Sequence, residues 1–296
     1  MIAFASAIVD PEAYRRFAGP GIARVAEPDS VILAYAAVGT VCRGYNLLLE
    51  AAARLSGLEA LVLVDPRLEL TDAALCATIR TVLADPAVAV VGWAGAAGSR
   101  TIAWWDGELR CAPVEVRHDE HGGGRLPAWP WAQRIADPVV VDAVDASLLV
   151  LSPWAVATLR FDESLVQGIG HEVDLCSRVR AAGRTVVVAP VRAVHHRALE
   201  VVADPELWVQ GHRRMADKWD ESLHGELTPE QWRRRARRAE AERDAARTLA
   251  YSNALQADAH VLELEHELAE LTSSRSWRAT APLRAAAQAV RRWRGR

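Results

Sequence analysis

No run in this 296-residue sequence approaches the roughly 20 consecutive apolar residues that a helix needs to span a bilayer. The opening stretch MIAFASAIVDPEAYRRF lacks both a basic leader and a long apolar core, so it is expected to be a first strand and not a signal peptide. Cysteine is scarce. Cys42, Cys76, Cys111 and Cys176 are scattered without C-x-x-C spacing, mostly in apolar patterns. That argues against a zinc site and for buried free thiols in a reducing cytoplasm. Net positive charge is lacking too: the chain carries −3, although residues 273–296 hold seven arginines and no acidic residue. An acidic body with one basic end is not a general nucleic-acid binder, and the basic end has a partner of its own or none.

What is there is globular composition, 51% apolar and 25% charged, in a chain long enough for one large α/β domain with an appendage or for two small domains. IAFASAIV (2–9) reads as a buried strand ended by Asp10 and Pro11, and PEAYRRFAG as a short helix with proline at its first position. SVILAYAAV (30–38) is a second strand, Gly39 and Gly44 frame a loop, and Tyr45 and Asn46 open a helix. LEALVLV (58–64) is a third strand that stops at Asp65-Pro66-Arg67. A helix with Thr71 or Asp72 as N-cap follows, then AVAVVGWAG (87–95) as a fourth strand. This alternation predicts a mainly parallel sheet with helices on both faces, whose ligands bind at the carboxyl ends of the strands. Asp10, Asp65 and the loop after Val38 are thereby candidates to line one cleft.

Residues 101–135 break the pattern with a hairpin-like strand, a His/Gly-rich tip and a tryptophan-rich segment, the composition of a lid or binding loop. Trp104, Trp105, Trp129 and Trp131 either form a platform for a sugar ring or pack beneath that loop. PVVVDAVDASLLVLS (138–152) returns as a strand interrupted by Asp142 and Asp145. A carboxylate in a buried strand is costly unless paired or turned to a polar cleft, which makes Asp145 a stronger site candidate than a surface acid.

The stretch 161–196 organises the rest. Val173, Cys176 and Val179 fall at helical spacing, Gly183 stands where a helix C-cap glycine would, and TVVVAPV has the β-branched density of a buried strand. Glu172 and Asp174 open this helix, where unpaired N–H groups and the macrodipole favour ionised carboxylates. Two residues apart, they cannot face the same way. One can point into a cleft while the other packs or caps. His195 and His196 end the following strand.

The order of a YN-led helix, a strand ending in Asp65-Pro66-Arg67, VVGWAG…IAWWDG, VDAVDASLLV and FDE…GHEVDLCSRVRAAGRTVVVAP…VHH resembles the family 2 glycosyltransferases of the GT-A fold. It is closest in pattern to their bacterial rhamnosyltransferase-like branch. The resemblance covers residues 1–222 and is most specific over 161–196. It implies an α/β GT-A domain, with a Rossmann-like, mainly parallel mixed sheet and helices on both faces. It also implies inverting transfer of a sugar from a nucleotide-diphosphate donor to an acceptor hydroxyl, as in cell-surface polysaccharide, glycoconjugate or secondary-metabolite synthesis.

Residue by residue, Asp65 matches the first acid of the family's D-x-D triplet, which binds a divalent cation (Mg2+ or Mn2+) and the donor diphosphate, and Arg67 replaces the second. Glu172 matches the general base and Asp174 the second, structural acid. His195 or His196 matches a histidine that approaches the metal or diphosphate. Asp145 matches an acceptor-side aspartate, with Ala146 in place of the usual glycine. Taken with the strand ends and the tryptophan-rich insertion, the expectation is donor binding at Asp10, Asn46, Asp65 and Arg67, acceptor binding at Asp145, Trp104 and Trp105, and metal ligation at Asp65, His195 and His196.

The reaction itself asks for a base on the attacking hydroxyl and for positive charge against the leaving diphosphate. Glu172, on a glycine-flanked loop, suits the first task. For the second, a metal is the usual solution. Alternatively, the Arg67 guanidinium substitutes for it in part by clamping phosphate oxygens, or merely pairs with Asp65 or Glu69 at the rim of a weakened site. Arg67 for an acid and Glu172 for an aspartate also suit a second reading, a catalytically weakened GT-A domain that binds sugar nucleotides or acts as a scaffold.

Beyond Pro229 no glycine or proline interrupts the chain up to residue 272, which predicts one long helix over 228–272. Ala250, Ala254, Ala257, Val261, Leu264, Leu268 and Leu271 alternate four- and three-residue steps, a heptad seam for a short coiled coil with a second copy or for packing on the body. The segment 273–296, SSRSWRATAPLRAAAQAVRRWRGR, resembles an ending found on many bacterial glycosyltransferases. Its arginines among tryptophans suit an anionic membrane surface, at the inner face of the plasma membrane where lipid-linked acceptors reside; the alternative is a disordered basic tail. The expected setting is the cytoplasm. The expected partners are a nucleotide-sugar donor and a glycan or lipid-linked acceptor, with no nucleic acid.

Overall fold

The computed structural model describes residues 1–36, 39–99, 101–118, 124–127, 129, 132–196, 204–224 and 227–284. The chain divides into two units, Met1–Gly225 and Glu226–Arg296. The first begins with β1 (Ile2–Ile8), α1 (Pro11–Ala13), α2 (Gly19–Val25), β2 (Val31–Ala36), α3 (Val41–Ala52) and β3 (Ala60–Val64). Then come β4 (Leu68–Leu70), α4 (Leu75–Leu83), β5 (Val88–Gly92) and β6 (Ala94–Ala97). Short strands follow: β7 (Glu108–Cys111), β8 (Glu115–His118), β9 (Gly124–Pro127), β10 (Gln133–Arg134), β11 (Val139–Val141) and β12 (Ala143–Val144). β13 (Leu148–Leu151), α5 (Pro153–Thr158), α6 (His171–Ala181), β14 (Thr185–Val188), β15 (Ala193–His196) and α7 (Pro205–His224) complete it.

Seven strands form the central sheet in the order β11-β14-β5-β13-β3-β1-β2. β1 pairs in parallel with β2 and β3, and β14 with β5, while β13 and β11 run against their neighbours. Five strands therefore point one way and two the other, the mainly parallel α/β sheet that the alternating pattern predicts. β3 and β5 are buried along their whole length and β1 along all but its last residue, as strands covered on both faces by helices must be. Within 101–135, β8 and β9 pair antiparallel as the expected hairpin, and the strands of this stretch join two four-stranded sheets, β10-β7-β6-β12 and β4-β15-β8-β9.

Several expected elements are cut differently. The strand expected over 87–95 breaks at Trp93, which is fully buried and donates its indole N–H to Ser147 Oγ at 2.7 Å. The strand over 138–152 splits into β11, β12 and β13 as the chain crosses from the central sheet to β6 and back, the Asp142 and Asp145 N–H groups donating to the Ala96 and Ala94 carbonyls. Asp142 pairs with Arg180 and accepts from the Gly98 N–H, and Asp145 folds onto Ser147. α3 starts at Val41, not at Tyr45, because Thr40 caps it through the Arg43 N–H at 3.3 Å. Neither Thr71 nor Asp72 caps α4. The Asp72 carboxylate accepts from Ala74 N and Arg192 N, and the helix starts at Leu75. All four cysteines are buried and none is in a disulfide.

The topology fixes where a site can lie. β13 runs antiparallel to β3 with Leu148 opposite Val64, so the amino end of β13 meets the carboxyl end of β3. Asp65 and Asp145 come from these ends, and Asp10 from the carboxyl end of β1, parallel to β3.

In the second unit, α8 (Pro229–Ser273) opens with a capping box in which Thr228 and Gln231 exchange side-chain and backbone hydrogen bonds, and α9 (Arg275–Ala279) follows Ser274. Val261, Leu264, Leu268 and Leu271 of the heptad seam are each about half exposed. Trp131 and residues 285–296 of the basic segment lie outside the described residues. Among the described residues no helix is long and apolar enough to cross a membrane.

Candidate active site

α6 begins after Gly170, whose φ of 78° is one that glycine adopts without strain. A Cβ there would sit 2.7 Å from Ile102 Cγ2, so the loop has no room for another residue. The turn it makes delivers Glu172 and Asp174 into the interior, and the two carboxylates part as their spacing requires. Asp174, 1% exposed, is held by packing partners: Trp219 Nε1 at 2.8 Å and Lys218 Nζ at 2.7 Å on Oδ1, and Arg178 Nη2 at 3.0 Å on Oδ2. Glu172, 9% exposed, lines a cavity of about 400 Å³. Burial pushes its carboxyl above the ordinary glutamate range, with the His171 ring opposing the shift and Asp145 adding to it. His171 Nδ1 lies 3.5 Å from Glu172 Oε2. A raised carboxyl in a cavity is a better proton acceptor than a surface one.

Tryptophans wall this cavity. Trp105 stacks on Trp129 with centroids 5.7 Å apart, Trp104 meets both edge-on, and Trp208 of α7 lies 5.5 Å from Trp105. Trp104 and Trp129 are buried and serve as packing, whereas Trp105 and Trp208 keep part of their surface open. The packing reading thus holds for Trp104 and Trp129.

A second cavity, of about 560 Å³, lies at the ends of β1 and β3 and is lined by Asp10, Asp65, Arg67 and His195. Arg67 pairs with neither Asp65 nor Glu69. Its Nε and Nη2 both reach Asp10 Oδ2, at 3.3 and 3.2 Å, while its backbone N–H donates to Asp65 Oδ1 at 2.8 Å. Asp10 also accepts from the Ala13 N–H, and that bond, with Arg67, holds its carboxyl below the usual range. His195 Nε2 stands 4.0 Å from Asp65 Oδ1.

Two sequence candidates are placed elsewhere. His196 turns away, its Nε2 3.0 Å from Glu69 Oε2 and its ring stacked on Phe17. Asn46 is a fastener: its amide donates to the Phe161 carbonyl and to Glu163, and accepts from the Phe161 N–H at 2.8 Å. Its position one turn inside α3 aims it at the 161–163 loop.

The single crevice expected from the sequence is two cavities joined by a short chain of bonds. The Asp65 N–H donates to the Ser147 carbonyl at 2.9 Å, and Ser147 donates its own N–H and hydroxyl to Asp145 Oδ1 on the wall of the other cavity. Tyr45 is buried, its ring centroid 5.7 Å from that of His171. Its phenol is pushed up by burial first, then by Asp65, with Glu172 and Asp145 adding to the effect. Sequence reasoning did not single out Tyr45, Gln167, Asp204 or Trp208 as site residues. Gln167 has φ 47°, a left-handed conformation that a non-glycine residue adopts at a cost, and its place in the glycine-flanked QGIG run was the one available signal.

For a divalent ion the donor set fits poorly. Asp65 and His195 face the second cavity together, but the third position of the triplet is a guanidinium, and among the described residues no group of three or more His, Cys, Asp or Glu side chains could hold an ion. A dication placed there would stand beside a fixed cation.

The fold is that of the GT-A glycosyltransferases. The chain superposes on GalNAc-T7, solved with UDP, GalNAc and Mn2+, with a TM-score of 0.53 at 9% identity, covering 75% of this chain and 48% of that one. A mannosyltransferase of Pyrobaculum calidifontis, solved with GDP-Man and Mn2+, gives a TM-score of 0.46 at 13% identity, covering 96% and 84%. In sequence, the chain is 28% identical over 198 residues to StrF, a streptomycin biosynthesis protein of Streptomyces griseus, covering 66% of each. It thus spans about two thirds of that protein's length and about half of GalNAc-T7. No protein-family profile matches the chain.

Proposed function

We propose that the protein is an inverting glycosyltransferase of the family 2, rhamnosyltransferase-like kind, moving a sugar from a nucleotide-diphosphate donor to an acceptor hydroxyl. The observation that carries this reading is Glu172, a buried carboxylate with a raised carboxyl on the wall of a tryptophan-lined cavity. In this role Glu172 accepts the proton of the acceptor hydroxyl as it attacks. Arg67, steadied by Asp10, meets the leaving diphosphate with a guanidinium fork, and Asp65 and His195 complete that wall. Asp145 and Trp105 position the acceptor. The likeness to a streptomycin biosynthesis protein supports a place in secondary-metabolite synthesis.

Nucleotide-sugar hydrolysis and transfer, measured for the wild type, Glu172→Gln and Asp65→Ala, test the proposal. Turnover that Glu172→Gln abolishes while donor binding persists supports it. Donor binding without turnover in the wild type would leave the sugar-nucleotide-binding or scaffolding reading, which Arg67 in place of an acid favours.

For the rest of the chain we propose a GT-A domain over 1–222, a self-associating helix over 228–272 and a membrane-adsorbing segment over 273–296, in a protein working at the inner face of the plasma membrane. The half-exposed heptad seam supports the second and the arginine–tryptophan composition the third. Liposome flotation with and without residues 273–296 tests the last.

A further inference from the structure

The cavity beside Glu172 gathers three carboxylates against a single imidazole, that of His171, whose Nδ1 lies 3.5 Å from Glu172 Oε2. Asp145, Glu172 and Asp204 line it, and among the described residues no lysine or arginine does. The basic ring on its wall, His171, has Nδ1 2.6 Å from the Gly168 carbonyl, a contact in which that nitrogen donates. Asp145 receives the Ser147 hydrogen bonds on Oδ1, and Asp204 receives the N–H groups of Glu206 and Leu207 on Oδ1. Each therefore keeps its second oxygen for something else. Glu172 is more than nine-tenths buried, and among the described residues no other residue donates a hydrogen bond to its carboxylate. Asp145 and Glu172 are desolvated, which is costly without a counter-charge, while Asp204 stands exposed at the rim; a cation entering the cavity offsets that cost.

The aromatic wall points the same way. Trp105 and Trp208 lie 5.5 Å apart at 35° with part of each surface open, and indole faces attract ammonium groups more strongly than any other side-chain ring. A neutral sugar would use the same acids through its hydroxyls; an ammonium would in addition offset their charge and be drawn to the indole faces.

We infer that the acceptor carries an ammonium group, as an amino sugar or an aminocyclitol does, held by Asp145, Asp204, Trp105 and Trp208. The inference rests on the transferase reading and names the substrate class of that site. An ammonium held this way presents a hydroxyl of the same ring to Glu172, and its charge offsets the burial of that carboxylate.

Titrations of the full chain, followed by intrinsic tryptophan fluorescence, test it with matched pairs: glucosamine against glucose, and 2-deoxystreptamine against myo-inositol. The amino member of a pair is expected to bind about tenfold tighter or more at neutral pH, with the preference fading as its amine deprotonates. Asp145→Asn and Asp204→Asn should erase most of that preference with little change in Tm, because asparagine retains the oxygen that accepts from Ser147 or from the first turn of α7. Equal affinity within both pairs, tighter binding of glucuronate, or no binding of any probe overturns the inference. Thermal shifts with UDP and GDP, run on the same samples, report on the other cavity. Nucleotide protection without amine preference sinks the acceptor assignment and leaves the transferase reading standing, whereas absent protection and absent turnover sink that reading itself.

Discussion

Trp219 donates its indole N–H to Asp174 Oδ1 at 2.8 Å, and through that contact α7 is tied to the buried side of α6. α7 also carries Trp208, so the packing acid on α6 indirectly places a wall of the cavity that Glu172, two residues earlier, lines. One helix start thus supplies both a packing acid and a cavity-lining acid.

Asp174→Ala should therefore be a stability variant first. It removes one partner of a buried ion cluster whose cations, Arg178 and Lys218, keep about a third of their side chains in water. The expected loss is about 3 kcal/mol, the low end for breaking a buried pair, read from urea unfolding. Donor affinity, measured below the transition, should stay near wild type because the second cavity does not include α7.

Glu172→Gln should separate activity from stability in opposite directions. Loss of the base lowers turnover by about 10²–10⁴-fold. Because the folded state raises this carboxyl, the folded protein holds the proton more tightly than the unfolded chain. The stability that goes with the protonated form is present below the ordinary glutamate value of 4.5 and is lost as pH rises through the folded value. Glutamine stays neutral, so the variant should melt a few degrees higher than wild type at neutral pH and no higher in acid. In the wild type, the acid limb of kcat/KM should fall above 4.5.

The sheet and the helix carrying Glu172 were legible because they rest on local signals. IAFASA, ALVLV and VAVVG are continuous apolar runs, and Gly183, with φ 71°, closes α6 where the sequence placed a C-cap. What was not legible depended on partners remote in sequence. Arg67 could have met Asp65 or Glu69 by proximity along the chain, but it meets Asp10, fifty-seven positions away, because β1 and β3 are neighbours in the sheet. Asn46 looked like a ligand because its helix was expected to start there; Thr40 starts it earlier and turns the amide onto Phe161. Trp208 and Asp204 lie past the recognisable motif, and only the return of α7 brings them to Glu172.

Gly170→Ala tests whether the loop before α6 sets the geometry of the base. The residue would have to hold φ 78° and place its Cβ against Ile102. Left-handed strain alone costs about 1–3 kcal/mol. If the loop relaxes to avoid the clash, Glu172 shifts, and a displacement of an ångström at a reacting centre costs on the order of 10²-fold in rate. The expected outcome is a lower Tm together with a kcat that falls more than KM rises. A kcat unchanged beside a lower Tm would show that the base is fixed by other contacts.

Arg67 offers the sharpest test of how the diphosphate is held. Two of its nitrogens converge on one oxygen of Asp10, which orients the fork without neutralising it fully, since about half of the side chain remains exposed. If that cation meets the phosphates, Arg67→Ala should weaken UDP or GDP binding by about tenfold to a hundredfold, and Arg67→Lys should restore charge but not the two-point geometry, recovering only part of the loss. Wild-type transfer should survive excess chelator. Arg67→Asp supplies the acid that the triplet lacks, next to Asp65 and His195. Its residual activity should become dependent on added Mn2+ or Mg2+. Strict metal dependence of the wild type, with donor affinity indifferent to all three substitutions, would show that Arg67 only braces Asp10 at the rim.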